Sequence, residues 1–403
     1  MRTLDPTVLL VEGSDFDTFP AGGQLTMART LMKLFGDRLA LVGMTSGDEP
    51  VGCWATKEIA GNTYWFFPAC RRESSSRKPL VPARLEFFRG LKRHRDEIMA
   101  LGCRSAFLQA PEALVAVSPW NWESLCFWFA GVENPLKVSR YWFAAPLRRW
   151  FDRAVFTALK RVDVILAAAD ESAIGALVSR SRGRLARERI NQLPTCVDTN
   201  EFRPGSVAQA REELGIPLDG RIFVNSGRIG RFKGWELLVS AFEEFLCGGE
   251  DAFLYFVGDG EDRPLLETRI RERNLESRIK ITGFQKPEKV ISYLRAADLA
   301  VFGSFVEGWS VAMLEALACG KPIVTTEVSG ADSMVIPGEN GFIVNNREAA
   351  KFAQAMRKAL QLPEAGASSR KIAARFDLSQ LGQRVSRLWP PMGQEESTVA
   401  AVR

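Results

Sequence analysis

RIFVNSGRIGRFKGWELLVSAFEEFL (residues 221–246) decides the fold. It reads as a strand, a glycine-rich loop and a helix, and the same unit recurs down the chain. AFLYFVGDG (252–260) is a strand and EDRPLLETRIRERN (261–274) a helix. RIKITGF (278–284) and PEKVISYLRAA (287–297) repeat the pair. LAVFGS (299–304) is the next strand, followed by a helix around Glu315 and then KPIVTTEV (321–328). Alternation this regular implies a parallel, doubly wound α/β sheet with helices on both faces.

Working outward, the N-terminal half opens on the same pattern. TVLLV (7–11), a loop GSDFDTFPAGG (13–23), QLTMARTLMKLF (24–35) and LALVGM (39–44) form the start of a βαβ unit. Further strands are expected at 63–67, 105–109 and 162–167, with Arg- and aromatic-rich helices between them. Around Cys196 the pattern breaks into LPTCVDTNEFRPG (193–205), a polar, proline-bounded hinge. The 403 residues exceed what one core organises, so two domains are expected. Residues 1–198 are expected to form an N-terminal domain and 205–375 a C-terminal domain. Residues 376–403 form a C-terminal helix with a loose tail from Pro390. Ligands of such sheets bind at the carboxyl ends of the strands, which predicts an interdomain active site.

Composition narrows the function classes. A net charge of +5 suits anionic small molecules or an anionic membrane surface and is too small to argue for nucleic acid. Seven scattered cysteines with no CxxC pair, and His94 as the one histidine, disfavour a zinc site and suit a reducing cytoplasm. No secretory signal or membrane-length apolar run is read, so a cytoplasmic protein is expected. A peripheral place on the inner face of the cell membrane is left open.

Two segments carry the chemistry. In EGWSVAMLEALACGKPIV (307–324), Glu315 is the lone charge on an apolar helix that Ser310 caps and Gly320 ends. A buried carboxylate requires hydrogen-bond donors, and Glu307 in the preceding loop is placed to serve the same ligand. In SGRIGRFKGWE (226–236), Arg228 and Lys233 stand among Gly227, Gly230 and Gly234 before a helix. That arrangement can surround a diphosphate, although an exposed basic loop would look alike. The GxxxxGK[ST] and GxGxxG spacings both fail, which disfavours a P-loop and a dinucleotide dehydrogenase. Gly258 in the GDG turn, and Gly283 with Phe284 in TGF, are further glycine-bearing strand ends.

The ordered set GR-x4-KG (227–234), VGDG, TGF and EG-x6-EA-x3-G-x-P, with the VD-x3-F-x-P hinge (197–204), resembles family 4 of the retaining glycosyltransferases. The likeness covers about 193–344 and implies the GT-B architecture of two Rossmann-like domains facing across a cleft. It also implies a nucleoside-diphosphate sugar as donor substrate, with no cofactor and no metal. By that resemblance Arg228 and Lys233 hold the donor diphosphate, Glu315 takes the ribose hydroxyls and Glu307 contacts the sugar. The backbone of Gly308, Trp309, Ser310 and Val311 lies near sugar and phosphate, and Gly227, Gly258, Gly283 and Phe284 line the donor site.

The N-terminal half departs from the family. His94 lies in the basic run LKRHRDE, whereas many members carry a cleft histidine. Gly22 and Gly23 match a glycine-rich loop near the acceptor, and Glu133, Asn134 and Arg140 are the other acceptor-side candidates. Asp15 and Asp17 read DxD but belong to an ordinary loop. Basic and aromatic residues interleave at 71–95 and 139–161, as on helices that lie on anionic lipid or on a solvated helix over the core. The expected function is sugar transfer to a glycan or lipid-linked acceptor, in bacterial-type surface polysaccharide or glycolipid synthesis. A non-catalytic nucleotide-sugar sensor or scaffold, and a same-fold epimerase, are the alternatives.

Overall fold

The structure is a computed structural model that describes residues 4–17, 23–72, 81–138 and 144–392. Backbone contacts divide the chain into two units: Met1–Leu193 with the stretch from Leu381, and Pro194–Gln380.

Among the described residues the first unit holds eight strands: β1 (Val8–Val11), β2 (Leu39–Thr45), β3 (Ala55–Ile59), β4 (Asn62–Arg71), β5 (Ser105–Leu108), β6 (Ser124–Phe129), β7 (Val164–Ala167) and β8 (Ile190–Gln192). They lie in the order β3-β4-β2-β1-β5-β6-β7-β8, all parallel except the β3–β4 edge hairpin. The strand β6, SLCFWF, falls where a helical stretch is expected from the sequence. A central parallel strand is buried on both faces and loses the alternation that marks a strand. The helix Ala83–Arg93 turns Phe87 and Leu91 into the core under this sheet.

The chain end corrects a second expectation, because it is packed as far as Met392. Trp389 is fully buried, its ring 5.8 Å from that of Phe107 and its Nε1 donating to Ser124 Oγ at 2.7 Å. Arg38 Nη2 donates to the Pro391 carbonyl at 2.8 Å, and Met392 is buried. These contacts are far apart in sequence, so nothing in local pattern announces them.

The second unit is a six-stranded sheet: β9 (Arg221–Ser226), β10 (Ala252–Val257), β11 (Ile279–Ile281), β12 (Leu299–Phe302), β13 (Ile323–Thr326) and β14 (Gly341–Val344). The order β11-β10-β9-β12-β13-β14 is parallel throughout. Phe223 of β9 meets Phe242 and Phe245 of the helix Trp235–Leu246 edge-on, and that helix packs on the helix Ala349–Ala359. The helix Val311–Ala318 packs against the helix Ala365–Ala374. The chain winds one way from β9 to β10 and the other way through β12, so the carboxyl ends of β9 and β12 form the topological switch point. That is where a sheet of this kind opens a crevice for ligand.

The hinge segment is tied into this unit. Val197 N donates to the Phe376 carbonyl and Leu378 N to the Val197 carbonyl, both at 3.0 Å. Burial pushes the Asp377 carboxyl up, but hydrogen bonds from Ser379 and Thr199 outweigh it and hold it at about 2.

Candidate active site

The loop after β9 runs from Gly227 through a single 3-10 turn, Arg231–Lys233, to the helix at Trp235. Gly234 caps that helix with φ of +65°, and a Cβ there would lie 1.7 Å from the Gly303 carbonyl oxygen. This glycine is therefore required by the approach of a second loop, the one that follows β12. Phe305 N donates to the Phe232 carbonyl at 2.8 Å, and Thr326 Oγ1 to the Ser304 carbonyl at 2.6 Å. A backbone hydrogen bond thus joins the two loops at the switch point, and β13 holds the second of them.

Across that seam Lys233 Nζ reaches Glu307 Oε1 at 2.7 Å, and Ser304 Oγ donates to the same oxygen at 2.6 Å. The Glu307 side chain is 13% exposed and that of Lys233 is 39% exposed. Lys233 keeps further donor capacity, since an ammonium has three N–H groups. Sequence distance hid this pair, since 74 residues separate its members. Ser304 stood inside the quoted strand LAVFGS without being singled out.

Arg228 does not join the pair. Its Nε is bound to Glu261 Oε2 at 2.7 Å, and its side chain is 60% exposed. A Cβ on Gly258 would lie 1.9 Å from the Gly227 carbonyl oxygen, so the close backbone approach at the GDG turn requires glycine at 258. Gly283 takes φ of +72° at the end of β11, and Phe284 beside it is 64% exposed.

The next helix begins as its residues require. Ser310 Oγ accepts from Met313 N, Cys319 is the C-cap and Gly320 follows in the left-handed conformation, with φ of +73°. Gly308 and Val311 are partly buried at its start. Trp309 turns inward: it is buried, 5.7 Å from the Phe376 ring, and its carbonyl accepts from Thr195 Oγ1. Glu315 lies on the second turn. Burial, and then the charge of Glu201 in the hinge segment, push its carboxyl up to about 8. The residue keeps some exposure to solvent, and among the described residues no group donates a hydrogen bond to it. Its electrostatic neighbour is thus Glu201, which drew no notice in the sequence.

The acceptor-side candidates are dispersed. Gly22 and Arg140 lie outside the described residues, Gly23 begins the helix Gly23–Phe35, and Glu133 is exposed. Asn134 is a buried turn residue: its Oδ1 accepts from Leu136 N and its Nδ2 donates to the Arg148 carbonyl. His94 packs edge-on against Phe67. Asp15 accepts from Asp17 N and Ser46 Oγ, and Asp17 pairs with Arg29, so both aspartates serve their loop.

Two such α/β sheets in one chain make up the GT-B fold. Sucrose-phosphate synthase from Thermosynechococcus elongatus superposes with a TM-score of 0.79 over 96% of this chain and 98% of its own, at 20% identity. HepE from Anabaena, in complex with UDP-glucose, does so with a TM-score of 0.69 over 94% and 98%, at 18% identity. Residues 206–376 match the family glycosyl transferases group 1. D-inositol 3-phosphate glycosyltransferase from Acidothermus cellulolyticus is 31% identical over 182 residues, 43% of this chain and 41% of that protein. The curated relatives are matched over 39% to 64% of their own length.

Proposed function

We propose that the protein is a retaining, metal-independent glycosyltransferase using a nucleoside-diphosphate sugar. The observation that carries this reading is the Lys233–Glu307 pair at the switch point, on the same loop-and-helix unit as a Glu315 carboxyl that lacks donors. Ribose hydroxyls are the donors Glu315 lacks. Lys233, with Arg228, would neutralise the charge that grows on the departing diphosphate, which is where electrostatic catalysis acts. Glu307 would receive hydroxyls of the donor sugar. In a retaining transfer the departing phosphate can take the acceptor's proton, which fits a chain whose one histidine packs against Phe67. No cofactor is invoked. A related fold bound to UDP-glucose makes UDP-sugars the first donors to try.

A thermal-shift screen of UDP-, GDP- and ADP-sugars tests the reading, because a ligand bound only by the folded state raises the melting temperature. One nucleotide class should stabilise the chain by several degrees, and indifference to all three removes the proposal. Donor isomerised without acceptor would instead identify an epimerase. Tight binding with neither hydrolysis nor transfer across an acceptor panel would identify a sensor.

The acceptor is proposed to be a glycan or a lipid-linked molecule of surface polysaccharide or glycolipid synthesis, handled at the inner face of the cell membrane. Support comes from the helix Ala144–Ala158, where Leu147 is 49% and Trp150 72% exposed. Arg149 and Arg153 flank them without a described acidic partner, while Asp152 pairs with Arg180. An exposed tryptophan between arginines suits an anionic headgroup layer. In the other basic and aromatic run, by contrast, Phe87 is spent on the core. No described helix is long and apolar enough to cross a membrane. Phosphatidylglycerol vesicles should co-sediment the protein, less so as salt rises and less so for Trp150→Ala with Arg149→Glu. Equal sedimentation with neutral vesicles would reject the membrane surface.

A further inference from the structure

Arg347 stands in the turn between β14 and the helix Ala349–Ala359, outside every motif of the sequence. Its guanidinium crosses to the loop after β12. Nη1 donates to the Ser304 carbonyl at 3.0 Å and Nη2 to the Gly303 carbonyl at 2.6 Å. The guanidinium also lies over the Phe305 ring, 3.4 Å from its centroid. No described carboxylate pairs with it, and Glu348 next to it pairs with Lys351. A cation that gives up water for two carbonyls and an aromatic face is held by geometry and not by a counter-charge.

Three chain segments meet at this fork. A Cβ on Gly234 would come within 1.7 Å of the Gly303 carbonyl and 2.6 Å of Arg347 Nη2. The residues on either side of that contact are the ones that orient Glu307: Lys233 from one loop and Ser304 from the other. Arg347 holds the carbonyl of Ser304, whose hydroxyl in turn holds Glu307 Oε1.

We infer that Arg347 is a positioning residue that latches the Gly303–Phe305 turn and so fixes Glu307 for the sugar half of the donor. The inference rests on the proposed donor site and adds to it a residue that touches no substrate. Its effect should be confined to the sugar end, because the nucleotide end is assigned to Glu315 on the following helix.

A matched control exists in the same unit. Arg357, on the helix just after Arg347, also donates to two carbonyls, those of Glu244 and Phe245, and lies over an aromatic ring. It differs in having a carboxylate partner, Glu250, and in lying away from both site loops. A merely structural arginine should behave like Arg357.

The test compares wild type, Arg347→Met, Arg347→Lys and Arg357→Met as full chains. Calorimetry measures UDP and UDP-glucose, or the GDP or ADP pair if wild type prefers it. Arg347→Met should bind the free nucleotide within about twofold of wild type and lose about tenfold of the affinity the sugar adds. Arg347→Lys should fall between, since it keeps the charge without the two-pronged fork. Arg357→Met should lower the melting temperature and leave the sugar increment intact. Amide exchange of the 303–310 segment in the ligand-free chain provides a second reading: faster in Arg347→Met, unchanged in Arg357→Met. An Arg347→Met variant that keeps the sugar increment, or loses nucleotide and nucleotide sugar alike, overturns the inference. So does unaltered exchange at 303–310. Wild type binding none of the nucleotide sugars would instead sink the functional proposal, and exchange would still decide the latch.

Discussion

Glu315→Leu should abolish measurable nucleotide-sugar binding and yet melt at a higher temperature than wild type at pH 8. The two halves have one cause. In the ligand-free domain the carboxyl is pushed up to about 8 by burial and by Glu201. An acid whose folded pKa lies above its unfolded value holds its proton in the folded state while the unfolded chain releases it. The native state therefore loses stability as pH rises from the ordinary carboxyl range to about 8, and the loss is complete above that. Leucine removes the titration and, on the proposed function, the acceptor for the ribose hydroxyls as well. Sites that bind often trade stability in this way.

The same shift predicts how binding depends on pH. Two hydroxyls donating to one carboxylate favour its ionised form, so donor binding should pull the Glu315 pKa down and release a proton below pH 8. Affinity should climb between pH 6.5 and 8 and level off above. Calorimetry in two buffers of different ionisation enthalpy reads the released proton directly. Glu315→Gln should bind more weakly by about a hundredfold, the scale of two hydrogen bonds to a charged group, with a flat pH profile. A wild-type affinity indifferent to pH, or a Gln variant with the wild-type slope, contradicts the role given to Glu315.

The second large effect is expected at Lys233. Lys233→Ala removes the cation bridging the two loops and leaves Glu307 with Ser304 alone as a described partner. Turnover should fall by about 10²- to 10³-fold, the usual loss when one preorganised electrostatic group is deleted. Arg228→Ala should cost less, because Arg228 is more exposed and already bound to Glu261. Melting should change little in either variant, since both side chains are partly open to solvent. Turnover assays on purified variants decide the order. An Arg228 variant much worse than the Lys233 variant would mean that the diphosphate lies over the β10 side of the crevice, away from the seam.

How much of this was legible without coordinates can be argued from particular residues. The β9-to-β13 alternation needs only local periodicity, and the strand order follows the doubly wound rule. Ser310 as N-cap and the left-handed Gly320 after the helix are equally local, set by hydrogen bonds within a turn. The strand β6 was lost because a doubly buried strand carries no alternation, and Trp389 because its partners Phe107 and Ser124 lie hundreds of residues away.

Sequence by itself determined the α/β fold class and the residue types at the strand ends of the second unit. These properties follow from short-range periodicity, backbone freedom and the cost of burying charge. Tertiary structure alone decided which of those residues act together. It joined Lys233 to Glu307, turned Arg228 toward Glu261, pressed Gly258 against Gly227, buried Trp309 and brought Arg347 against the loop after β12. Such pairings depend on distances across neighbouring strands, and contacts between segments far apart in sequence leave no local trace in either one.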